Sequence, residues 1–164
     1  MSATTARVSA PKVEFTHKLG IAWVLLDLSL AVHVTDEALT GFLAIYNPTV
    51  MAMREKIGFW PMPTFGFWEW LAGLSIGVAV MLALSPFVFR GARWIRPIFY
   101  ILAFIMLGNA FSHTAATILG HTVSSVRFPR PAPGFYSSPL LLAAAVYALI
   151  QLRSTRPPHM NEGR

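Results

Sequence analysis

Residues 19–46 read LGIAWVLLDLSLAVHVTDEALTGFLAIY, an apolar run that nevertheless carries Asp27, His33, Asp36 and Glu37. A hydrocarbon core of about 30 Å takes roughly 20 helical residues to cross, so this stretch predicts a spanning helix, closed by Asn47-Pro48 where proline opposes continuation. Working outward, three more apolar segments follow at 67–89, 97–121 and 135–152. The expected fold is all-α, a four-helix transmembrane bundle. A polar tail (1–16) precedes the bundle (17–153), and a second tail (154–164) follows it.

Composition agrees. Of 164 residues, 55% are hydrophobic and 12% charged, against about 25% charged in a soluble domain, too few to cover a water-facing surface. The formal net charge of +6 does not indicate nucleic acid, because the basic residues cluster at the ends of apolar segments and not along one face. With no cysteine, disulfides, thiolate metal sites and cysteine nucleophiles are excluded. The polar N-terminal stretch lacks a small-residue cleavage site, so the first span is expected to be retained.

The basic residues also predict orientation. The two tails and the loop holding Arg90, Arg93 and Arg96 contain nine Lys and Arg, whereas the other two loops contain four. The positive-inside rule then places both termini in the cytoplasm of a multi-pass inner-membrane protein. The outer loops carry the prolines and are flanked by aromatic residues such as Trp60, Trp68 and Tyr136, as an interfacial belt would be. Gly73 and Gly77 form a small-xxx-small face suited to close helix approach, and Ala143, Ala144, Ala145 and Ala148 would pack similarly.

Three carboxylates in a lipid-spanning segment need partners, because each ionised residue at a helix centre costs about 3 kcal/mol. His33 lies three residues before Asp36 and four before Glu37, so all three stack along one helical face. At 1.5 Å per residue from Lys18, His33 stands about 22 Å and Glu37 about 28 Å along the helix. From Arg96, His113 stands about 25 Å along the parallel third segment, with Asn109 a turn below and Thr117 a turn above. Counting back from Arg90 and Arg153 brings Glu69 and Tyr136 to about the same layer, with Ser137 and Ser138 just beneath Tyr136.

These depths predict a polar pocket in the outer half of the bilayer, with His33, Glu37 and His113 holding a divalent metal, zinc or iron. Asp36, Glu69 and Tyr136 are candidate catalytic groups, and Asn109, Thr117 and His121 further pocket residues. Asp27 lies about 9 Å below His33 and reads as a separate helix contact or proton-relay group. A haem between His33 and His113 would leave the adjacent carboxylates without a role.

His33-Val-Thr-Asp36-Glu37, the Asn109/His113 pair and Tyr136-Ser-Ser-Pro139 resemble the HXXEE-motif family of bacterial integral membrane proteins. The resemblance covers most of the chain and rests on His33, Asp36, Glu37, His113 and Tyr136. It departs at Asp36, where the family has glutamate, and at Tyr136-Ser-Ser-Pro139, where it has a Tyr-x-Pro-Gly turn. The resemblance implies a small helical membrane protein whose activity is not established. The residues themselves point to a metal-dependent enzyme, hydrolase or oxidoreductase, acting on a lipid-like substrate. The competing expectations are a proton- or cation-coupled transporter or ligand-binding protein, and an accessory subunit of a homo-oligomer or larger membrane complex.

Overall fold

The computed structural model describes residues 10–154; of the tails expected at 1–16 and 154–164, residues 1–9 and 155–164 lie outside the described residues, and residues 10–16 belong to the first helix. Five helices follow in order: α1 (Ala10–Thr40), α2 (Leu43–Ile57), α3 (Phe67–Phe89), α4 (Ile95–Leu119) and α5 (Ser138–Ser154). Three stretches are long and apolar enough to cross a membrane: Thr16–Thr40 in α1, Phe67–Phe89 and Ile95–Leu119. The apolar α5 is shorter, with 17 residues.

The first segment departs from expectation. It ends at Gly41, not at Asn47-Pro48, and Pro48 lies inside α2. Gly41 takes the left-handed φ of 77°, and the amide of Phe42 returns to the carbonyl of Glu37 at 3.0 Å. This is the six-to-one hydrogen bond of a Schellman cap, which favours glycine because a Cβ is disfavoured at positive φ. The reversal turns α2 away from α1, so the expected outer loop begins as a helix. Asn47 then clasps the stretch after α2: its amide donates to the Phe65 carbonyl (2.9 Å) and accepts from the Phe65 amide (3.1 Å).

The helices pack around α1, which lies against both α3 and α5, while α4 lies against α5. Without water to drive helices together in lipid, close fit and interhelical hydrogen bonds carry the association. At the α1–α3 seam, the Trp23 indole donates to the Met81 carbonyl at 2.8 Å, and Phe99 of α4 meets the Trp23 ring edge-on at 5.0 Å. One turn toward the N-terminus, a Cβ placed on Gly20 would stand 2.3 Å from the Phe89 ring. The small residues of α5 meet their expectation at Ala144, Ala145 and Ala148, which are buried. Those of α3 do not: a Cβ on Gly73 or Gly77 meets nothing within 4 Å, so no described helix covers that face.

Because Gly20 has no spare room, Gly20→Ala should destabilise the bundle by about 1–3 kcal/mol, read as a lowered Tm in detergent. The same substitution at Gly77 should leave the Tm unchanged or raised.

Candidate metal centre

The C-terminal ends of α1 and α4 and the loop before α5 enclose the polar cluster. Four-residue spacing puts His33 and Glu37 on one face of α1, and α4 presents His113 opposite them. All three are buried, with His33 fully enclosed. Glu37 Oε1 lies 3.0 Å from His113 Nε2 and 3.5 Å from His33 Nε2, and the two imidazoles meet edge to face at 4.8 Å. One ligand atom from each residue falls within 4.8 Å of the other two.

The hydrogen bonds around His33 determine its tautomer. The Ser137 hydroxyl lies 2.8 Å from Asp36 Oδ2, 3.2 Å from the Gly134 carbonyl and 2.8 Å from His33 Nδ1. The first two groups only accept, so the single hydroxyl proton goes to them and His33 Nδ1 must be the donor to Ser137. His33 Nε2 then carries no proton and faces the cluster, where it accepts from the Asn109 amide at 3.0 Å. Asp36 therefore acts on His33 through Ser137, in the manner of the carboxylates that fix metal-ligating histidines.

The loop before α5 closes the site. The Ala132 amide donates to Thr117 Oγ1 (3.0 Å), the Gly134 amide to Thr40 Oγ1 (3.2 Å) and the Ser137 amide to Asp36 Oδ2 (2.9 Å), tying the loop to α4 and α1. At Gly134, with φ +78°, a Cβ would stand 2.8 Å from His113 Cε1 and 3.0 Å from Glu37 Cγ. Glycine there lets backbone lie directly on two of the three cluster residues.

The donor set fits a dication. Two imidazoles and one carboxylate are ligands of catalytic zinc, and also of non-haem iron(II). Tetrahedral ligands held at about 2.0 Å from zinc stand roughly 3.3 Å apart, comparable with the spacings of Glu37 Oε1 from the two imidazoles. His113 Nε2 is buried and makes no aligned hydrogen bond despite its nearness to Glu37. Such an atom has lost water without a replacement, and a cation would supply one while offsetting the buried carboxylate charge. A haem does not fit, because rings 4.8 Å apart and edge to face leave no slot for a macrocycle between them.

The remaining expected residues are placed as follows. Glu69 is exposed at the start of α3, where its carboxylate accepts from the Gly66 amide at 3.1 Å as a helix cap. Tyr136 is 70% exposed and packs on Phe135, so the neighbouring Ser137 is the residue at the cluster. Thr117 holds the loop. His121, just past α4, bridges backbone to Arg127, and its Nδ1 is buried without a partner. Asp27 is fully buried and neither of its oxygens has a hydrogen-bond partner.

Sequence reasoning did not single out Gly134 or Phe42. Pro133-Gly134 carried a turn signal, but nothing in it indicated contact with His113. Phe42 lies 5.7 Å from the His113 ring and 5.8 Å from Trp70. A cavity of about 100 Å³ reaches His113 between Phe42, Ala116 and Phe128.

Comparisons with protein-family models, with curated proteins and with solved structures return no match to this chain. Its chemistry is therefore argued from the site alone.

Gly134→Ala should push the loop off His113 and Glu37, lowering metal affinity at least about tenfold, the scale on which supporting groups around a metal act. Metal titration of the purified variant, with circular dichroism to confirm retained helix, checks this.

Proposed function

We propose that this chain is a membrane-embedded, metal-dependent enzyme, most economically a hydrolase, acting on a lipid-like substrate at His33, Glu37 and His113. The proposal includes four crossings, with both termini in the cytoplasm and the cluster in the outer half of the inner membrane. In this reading α5 is the fourth span, near the lower end of the roughly 17–25 residues that cross a bilayer. Kinship with the HXXEE-motif proteins belongs to the same proposal, through His33, Asp36, Glu37 and His113.

The observation that carries it is the His33 arrangement. A proton held on Nδ1 by Ser137, with Asp36 behind it, leaves Nε2 unprotonated beside a buried carboxylate and a second imidazole, with the Asn109 amide as its donor. Polar residues serving only to join helices would saturate one another, yet His113 Nε2 does not. A bound dication would supply Lewis acidity and a water of lowered pKa. The chain's own part is to hold the ligands rigidly, keep bulk water out with the 132–138 loop, and leave space beside His113 for the reacting group. Hydrolysis needs no co-reactant beyond water, whereas the iron alternative would need oxygen and a reductant.

Metal analysis of detergent-purified protein tests the reading. One zinc or iron per chain is expected, lost in His33→Ala and in His113→Ala. Asp36→Asn should keep the helices but weaken affinity about 10–100-fold. A parent protein that neither carries nor takes up either metal would overturn the proposal.

A transport reading draws on one observation, the unpartnered Asp27 carboxyl within the bundle. Isolated ionisable groups at that depth mark proton or ion paths. If it is correct, proteoliposomes show proton or cation flux that Asp27→Asn abolishes, and the metal ligands are dispensable for it.

A further inference from the structure

A second cavity, about 320 Å³, shares the lining residue Phe42 with the His113 pocket. Its walls are Tyr46 from α2, Phe65 from the extended stretch, and Trp70, Gly73 and Leu74 from the first turns of α3. This wall is apolar, with the Glu69 carboxylate committed to the Gly66 amide. The Phe42 ring lies within 6 Å of the rings of both His113 and Trp70 and lines both spaces. Phe42 is held there by the Schellman cap at the end of α1, through its amide bond to the Glu37 carbonyl. The cap that ends the ligand-bearing helix thus also places the residue that the two spaces share.

We infer that this cavity is the chain-binding subsite of the metal centre, and that it takes one hydrocarbon chain of a carboxylate- or ester-bearing amphiphile. The inference rests on the metal-centre reading for its head group, and on the cavity alone for its chain. A dication with a single carboxylate ligand retains positive charge, so a carboxylate or ester carbonyl is the head group it would attract. That head passes Phe42 to reach the space beside His113, while the tail stays among Tyr46, Phe65 and Trp70. The volume is near the lower end of small-molecule sites, which run about 300–1,000 Å³, and suits one chain, not a two-chain phospholipid.

Gly73 acquires a reason in this arrangement. It lines the cavity, and a Cβ added to it meets nothing within 4 Å. Gly77, one turn further along the same helix, has equally open surroundings but does not line the cavity. If small residues here serve helix pairing with a second copy, the two positions should behave alike. If Gly73 serves the cavity, only Gly73 should matter.

The test is photolabelling of the full-length protein in detergent with a diazirine-bearing palmitic acid, competed by excess unlabelled palmitic acid, with metal content measured on the same samples. Competable labelling should map to Tyr46, Phe65 or Trp70. Gly73→Leu should reduce it about tenfold or more, as expected when added methylenes block an apolar pocket. Gly77→Leu should leave it within about twofold of the parent. Both variants need thermal stability near the parent's; if Gly73→Leu does not fold, Leu74→Trp is the second cavity-filling variant and should show the same loss. Labelling that is not competable, or that both glycine variants remove, or that neither does, overturns the inference. Cavity-dependent labelling of a protein without metal keeps the chain subsite and removes the metal reading. A full complement of metal without competable labelling does the reverse.

Discussion

A carboxylate held away from water between two imidazoles is the constraint on which the rest of this structure depends. Glu37 is buried in a bundle whose outward surfaces are apolar, with the imidazoles of His33 and His113 within 3.5 Å of its Oε1. An ionised carboxylate in such surroundings costs several kcal/mol unless it is compensated. The end of the bundle that holds the cluster is organised around that compensation. The loop before α5 carries three separate hydrogen bonds to α1 and α4, a glycine without a Cβ where it crosses the cluster, and a serine that relays Asp36 to His33.

The opposite end of the bundle is built differently. Around Trp23, Phe99 and Met81 the helices meet through ring edges, one buried indole hydrogen bond and a glycine pressed against Phe89. That packing sets the spacing of α1 and α3, and α5 closes on α1 and α4 with its buried alanines. A rigid scaffold below lets the cluster above hold ligand atoms a few ångströms apart without the ligands having to gather themselves on binding. Asp27 lies between the two regions, enclosed and without a hydrogen-bond partner among the described residues. Neither the packing at one end of the bundle nor the cluster at the other accounts for it.

Much of this was legible before any coordinates. The α3 boundaries coincide with the apolar run at 67–89 because glycine and an acidic cap at one end and Arg90 at the other mark them clearly. Rise-per-residue arithmetic was enough to bring His33, Glu37, Asn109 and His113 to one level, since each lies within a single uninterrupted helix. It failed for Glu69 and Tyr136 because depth carries no information about azimuth: both face outward, one as a helix cap and one beside Phe135. The break at Gly41 went unread because the apolar residues continue through it, and hydropathy does not register a change in φ. Gly134 was hidden for a related reason, as a turn signal says where the chain bends and not what lies against the bend.

The central claim is that two imidazoles and one carboxylate from α1 and α4 form a single metal-binding set. X-ray absorption at the zinc edge of zinc-loaded protein addresses it directly. A shell of two imidazole nitrogens and light oxygen donors at about 2.0 Å, with outer-shell imidazole scattering, is the expected spectrum, reduced to one imidazole in His113→Ala. A shell of oxygen atoms alone, unchanged by that substitution, would contradict it.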